Sequence, residues 1–212
     1  EDESGNHFKE LLMKKAKEGL SVYVLYDELG SSKLGATWRS SFEEAGVKVA
    51  PFNTEQGPNN RFQLNFRNHR KIVVVDGKKA WLGGLNIGDD YLGKDEKLSP
   101  WRDTHIRIEG PAAVVAQLVF WSDWHWAKKS LITGLSWLPH TVEAIGEKEV
   151  VKGQEVMVLG SGPADKVETA SLFFTSVLNS SEKRVWIATP YFIPDNATMV
   201  ALILALSRGV EV

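Results

Sequence analysis

The chain has 212 residues, 43% apolar and 25% charged, an ordinary globular balance that excludes wholesale disorder. Lys+Arg total 25 against Asp+Glu 27, a net charge of −2, which argues against a protein that neutralises duplex DNA phosphates with a basic surplus. The absence of cysteine excludes a disulfide scaffold, a Cys-ligated zinc and thiol catalysis, and no apolar run reaches the roughly 18–20 residues that cross a bilayer.

The chain starts at Glu1 rather than Met and shows no signal-peptide pattern, so it reads as a piece of something longer, organised as one domain or two small ones. Phe8, Leu11, Leu12 and Ala16 fall at helical spacing over 8–18, and Gly19 ends the pattern. Val22 to Tyr26 is a buried-strand run that stops at Asp27-Glu28-Leu29-Gly30. A helix over about 35–45 closes at Gly46, and a strand follows from Val47 to Pro51. Residues 53–68 are a polar loop, 69–83 a hairpin, 103–108 a strand, and 111–127 a helix opened by Pro111. This alternation of helix and strand is the pattern of an α/β layer structure, expected as a mixed sheet flanked by helices.

Residues 128–150 are less regular and read as a linker between a first half, 1–127, and a second, 151–212. In the second half the pattern predicts strands over 154–159 and 184–189 and helices over 166–179 and 195–208, with Gly209 as cap. Lys9–Val22 is echoed 190 residues later by Met199–Val212, with Leu12 on Leu202, Gly19 on Gly209 and Val22 on Val212. Any helix-Gly-strand junction produces such an echo. Read as a duplication, it makes the second half the start of a pseudo-repeat of the first, truncated after its first helix.

The chemically informative stretch is Asn68 to Asn86. Asp76-Gly77 between two apolar runs is a strong hairpin signal, and with these two as the turn, Val75 faces Lys78 and His69 faces Gly84. A bulge would slip that register by one residue. Alternation sends His69, Lys71, Val73 and Val75 to one side, so an imidazole and an ammonium can meet the same anion. Gly83 and Gly84 leave room for a phosphate at the backbone, and Asn86 adds a neutral donor. Asp76 lies at odd spacing from His69 and reads as a structural turn residue.

His-x-Lys-x4-Asp followed by Gly-Gly-x-Asn is similar to the signature of the phospholipase D superfamily. The flanking stretches NHRKIVVVDG, GGLNIGDDYLG, WRDTHIRIEGPA and TPYFIPD resemble the bacterial cardiolipin synthases over essentially the whole chain. The resemblance implies a phospholipase D-like fold and a phosphatidyltransferase that joins two phosphatidylglycerols, releasing glycerol, through a phosphohistidine. It implies His69 as nucleophile or acid/base, Lys71 and Asn86 on the phosphoryl oxygens, and Asp103 as the acid that orients the imidazole. It implies no metal and no cofactor.

The family joins two such motifs in one site, and this sequence has one. The same offset places the partner histidine roughly 47 residues past Val212; a homodimer would be the other source of a second motif. Expected partners are phosphatidylglycerol and other anionic phospholipid at a bacterial inner-membrane surface, with no specific nucleic acid. Two alternatives remain open: hydrolysis of a phospholipid or nucleic acid, and an inactive half-site that only binds anionic lipid.

Other residues carry competing readings. Arg61, Arg67, Arg70 and Lys71 are either a solvated cluster or a steering patch for anionic headgroups. His105 reads as a surface histidine, while His7, His125 and His140 are structural or solvent-facing. Phe120, Trp121, Trp124 and Trp126 read first as core and second as an interfacial patch. Tyr191 and Phe192 are either pocket lining or loop packing.

Overall fold

The structure, a computed structural model, describes residues 2–32, 34–52, 67–139, 153–162, 165–189 and 191–212. The chain divides into two compact units, Glu1–Val158 and Leu159–Val212. It is α/β, with both parallel and antiparallel pairing.

In the first unit, α1 (Glu3–Lys17) starts ahead of its apolar stretch because Asp2 caps it, accepting from the Gly5 N–H at 2.7 Å. Strand β1 (Tyr23–Asp27) runs into α2 (Ala36–Glu44), and the chain returns as β2 (Lys48–Phe52), parallel to β1 from Tyr23↔Lys48 to Asp27↔Phe52. Gly46 makes the sharp reversal between α2 and β2 at φ +87, where a side chain would be strained.

Period-two alternation gives this small sheet two apolar faces. Val24, Tyr26 and Val49 face α1 and α2, packing on Phe42, Trp38 and Leu12. Tyr23, Leu25 and Ala50 face α3 (Pro111–Lys128), packing on Trp124 and Phe120.

The second sheet is antiparallel: β3 (Lys71–Val75), β4 (Lys79–Gly83) and β5 (His105–Glu109). The predicted two-residue turn forms, with Asp76 at φ +54 and Gly77 at φ +65, and the Lys78 N–H returns to the Val75 carbonyl at 3.0 Å. Lys78 is then an extra residue, so Val75 pairs with Lys79 and Lys71 with Gly83. The predicted register is thus corrected by one residue, and His69 precedes β3 instead of facing Gly84. Gly77 is buried because its Cα side meets the Ser136 carbonyl and the Gln117 amide, which also bond each other at 2.7 Å.

Helix α3 holds both sheets. Its first turns carry Ala113 and Ala116, small enough for close approach to Ala80, Val74 and Leu82. Its later turns carry the aromatic residues. Trp124 is 4% exposed and sits edge-on to Tyr23, Trp126 stacks on Phe52, and the Trp121 indole N–H donates to the Ile132 carbonyl at 3.2 Å. The core reading of this cluster is the one the packing shows. Ile132 and Leu135, at the start of the expected linker, join the same core; residues 140–152 and most of the 53–68 loop, Arg61 included, lie outside the described residues.

In the second unit, α4 (Thr169–Ser180) and α5 (Asn196–Ser207) pack through Leu178, Ala201 and Leu202. Asp195 caps α5, accepting from the Thr198 N–H at 2.7 Å. The predicted strand over 154–159 does not form among the described residues. That over 184–189 is reduced to one parallel bridge, Arg184↔Glu211. A strand exists only where a neighbour takes its backbone groups, and sequence pattern alone cannot supply one. Phe192 lines an apolar cleft of about 610 Å³ with Trp186, Met199 and Ile203, whereas Tyr191 is exposed.

The expected echo is visible as one cap. Leu20 N–H bonds the Lys15 carbonyl at 3.1 Å, and Val210 N–H bonds that of Ala205 at 3.1 Å. The same cap closes α2, from Val47 N–H to the Phe42 carbonyl at 2.9 Å, so the junction is a general helix-to-strand device.

Candidate active site

His69 lies in the short segment 67–70 that leads into β3, and it is exposed. Its neighbours on both sides are fastened. Arg67 donates to Asp27, at the end of β1, from Nε at 3.1 Å and a terminal nitrogen at 2.9 Å, and the Asn68 N–H bonds the other Asp27 oxygen at 3.1 Å. The Asn68 side chain donates to Asp123 of α3 at 3.0 Å, and Arg70 donates to the same carboxylate at 2.7 Å. Arg67 and Arg70 are therefore each paired with a carboxylate, which weakens the steering-patch reading.

Lys71 opens β3, and its ammonium folds back to donate to the His69 carbonyl at 2.7 Å. The ammonium thus meets the main chain of His69, two positions before it. Burial pushes the Lys71 pKa below the ordinary lysine value; the Asp103 and Asp27 charges pull it up, and Arg67 adds to the lowering. The Asp27 carboxyl feels burial as an upward push, but the Arg67 side chain and the Gly30 and Asn68 N–H groups outweigh it and hold the pKa low.

Asp103 lies just before β5, on the β4 side of the site. A Cβ on Gly84 would fall inside its carboxylate, and one on Gly83 would collide with the Thr104 carbonyl and come within 2.6 Å of the His105 ring. The space at these glycines, expected to admit a phosphate, is therefore filled by the following strand. Asp103 accepts from the Thr104 N–H at 2.7 Å and acts on Lys71 through its charge. Among the described residues it makes no hydrogen bond to the His69 ring.

Asn86 is exposed beyond β4 and donates to the Tyr91 hydroxyl. Tyr91, in the 3-10 turn Asp89–Leu92, packs edge-on against Trp101 at 4.7 Å between ring centres. Asp76 is at the far end of the hairpin from His69, in the turn role expected for it.

Four residues escaped the sequence reading. Asp27 had one signal, a carboxylate ending a buried parallel strand, and Asp123 another, an acid amid an aromatic helix run. Tyr91 gave none beyond proximity to Asn86. His105, read as a surface histidine, is half-buried: it aligns with Lys71 across Gly83, and its Nδ1 is buried with no partner. Among the described residues no three His, Asp or Glu side chains gather to hold a metal ion.

The chain aligns over all 212 residues with proteins named cardiolipin synthase A: 48% identical to one from Pseudomonas putida, 47% to one from Pseudomonas entomophila and 48% to one from Pseudomonas fluorescens. Its whole length is thus similar to part of proteins named cardiolipin synthase A, the resemblance its motifs carry. No family model matches the chain. The chain spans 42% of the length of each of these relatives. No helix among the described residues is long and apolar enough to cross a membrane.

Proposed function

We propose that this chain carries one half of the catalytic site of a cardiolipin synthase, which condenses two phosphatidylglycerols into cardiolipin and glycerol. The observation that carries the reading is the exposed His69 with the Lys71 ammonium on its carbonyl, in a chain 48% identical to proteins of that name.

In the first step an imidazole nitrogen of His69 attacks phosphorus and the bond to the departing glycerol oxygen breaks. A second histidine, from outside this chain or from a second copy of it, protonates that oxygen. In the second step the primary hydroxyl of another phosphatidylglycerol attacks phosphorus, gives its proton to that second histidine, and the P–N bond breaks. Lys71 and Asn86 donate to the non-bridging oxygens as negative charge grows on them. Asp103 supports the Lys71 charge. Since both substrates are lipids, the reaction runs at a membrane surface.

Incubating the full-length protein with phosphatidylglycerol tests this. Cardiolipin plus glycerol is the expected product pair, with an acid-labile phosphatidyl adduct on His69 and no turnover in His69→Ala. Phosphatidic acid in place of cardiolipin would mean that water is the acceptor, and unchanged turnover in His69→Ala would overturn the reading.

A further inference from the structure

The His69 segment has no regular backbone ladder of its own, since β3 begins only at Lys71. A nucleophile on such a segment needs its main chain held by something else, because misplacement by about 1 Å costs on the order of a hundredfold in rate. Two acids from opposite elements do this. Asp27 and Asp123 have side chains only 13% and 14% exposed, and neither has a place in the proposed chemistry.

We propose that Asp27 and Asp123 are positioning residues that clamp the residues on either side of His69, Asp27 from the end of β1 and Asp123 from α3. The proposal rests on the phosphatidyltransfer reading only for its rate readout. Asp27 holds the Arg67 side chain and the Asn68 main chain, while Asp123 holds the Asn68 side chain and Arg70. Asn68 is the shared jaw. Its N–H goes to one acid, its amide nitrogen to the other, and its amide oxygen accepts from the Arg70 N–H at 2.9 Å, spanning His69. His69 is thus bracketed on both sides while its own side chain is exposed.

The surroundings are built for the Asp27 arm. Gly30 donates its N–H to Asp27 at 2.5 Å, and a Cβ there would sit 2.8 Å from the Arg67 guanidinium. Both elements that supply the acids belong to the same packed core, β1 and α3 meeting through Tyr23 and Trp124. The spacing between the two carboxylates is therefore set by the fold, and the segment between them inherits it. Asp27 has a second effect, since with Asp103 it opposes burial and Arg67 in sustaining the Lys71 ammonium.

The test uses Asp27→Asn and Asp123→Asn in the full-length protein, read by steady-state kinetics and by hydrogen exchange of the peptide holding Asn68 to Arg70. Each variant is expected to lower kcat at least tenfold with KM within twofold, and to speed exchange in that peptide. Asp27→Asn alone should also move the alkaline limb of the kcat profile to lower pH. Should Asp123→Asn fail to fold, Asn68→Ala removes the side-chain links to Asp123 and the Arg70 N–H and should give the same kcat loss in folded protein; should Asp27→Asn fail, Arg67→Gln loosens the side chain that Asp27 holds and takes its place. A folded variant with wild-type kcat and wild-type exchange overturns the clamp, as does a kcat loss that only tracks the unfolded fraction. Hydrogen exchange needs no turnover: a wild-type protein inert toward phosphatidylglycerol would remove the proposed reaction and leave the clamp to be judged by exchange.

Discussion

The Asp103 carboxylate occupies the volume that a side chain on Gly84 would need. The Gly84 N–H is bonded to the Thr104 carbonyl at 3.0 Å, so the two strands cannot simply part to make room. Gly84 in this family motif is therefore a seat for the acid beside the site.

Gly84→Ala should cost little stability, because the exposed Asp103 side chain can turn aside, and should lower transfer activity by displacing that carboxylate. Adding Asp103→Ala should lower activity little further. Thermal unfolding and kinetics on the two variants and their combination test this, and additive activity losses would contradict the overlap.

In the proposed reaction Lys71 acts as an ammonium, and burial already holds its pKa below the ordinary lysine value. Asp103 counters that shift, so Asp103→Asn should lower the Lys71 pKa further. Activity that needs the proton on Lys71 is present below that pKa and lost above it. The alkaline limb of the pH–rate profile should therefore move to lower pH in Asp103→Asn; a limb that stays put would separate the two residues.

Asn86 and Tyr91 are predicted to act as a unit. Tyr91→Phe removes the hydroxyl that receives the Asn86 amide but keeps the packing on Trp101. Its expected signature is a severalfold fall in kcat with unchanged stability. In an Asn86→Ala background the same change should have little further effect on kcat.

Acid should loosen the tie between α1 and the turn after the hairpin. Asp89 accepts from the Ser4 hydroxyl and from the Ser4 and Glu3 N–H groups at the start of α1, and the Asp89 N–H returns to Asp2 at 2.9 Å. The Ser4 hydroxyl bond foremost, with the two backbone donors and Lys94 adding, holds the Asp89 pKa at about 2 against an opposing desolvation effect. A depressed carboxylate pKa stabilises the fold above the unfolded value and is lost as pH falls through the folded one. The α1 amides should therefore lose exchange protection below about pH 4 and most steeply near pH 2, and Asp89→Asn should flatten that dependence.

Phe42 is 1% exposed between α2 and the parallel sheet. Phe42→Ala should cost about 3–5 kcal/mol, measured by denaturant unfolding. Trp101→Ala, at a half-open edge near Tyr91, should cost far less.

The α/β class, the helices closed by Gly19, Gly46 and Gly209, and the Asp76-Gly77 turn were legible in the chain because each rests on neighbours a few residues apart. The closeness of Lys71 to His69 in the sequence was legible, but the bond of its ammonium to the His69 carbonyl was not. The hairpin register escaped by one residue because one extra residue, Lys78, leaves no mark on apolar periodicity. The expected strands of the second unit depended on partners no local pattern specifies.

What only the tertiary structure decided is which charges meet. Asp27 and Asp123 lie 40 and more positions from the arginines they hold, and Asp103 reaches the volume beside Gly84 only because β5 pairs with β4. Spacing along a chain predicts contacts within a turn or a strand, whereas these distances are set by how helix α3 packs against both sheets. The sequence by itself carried the family resemblance and the expected residues of the half-site; the folded core decided what holds them.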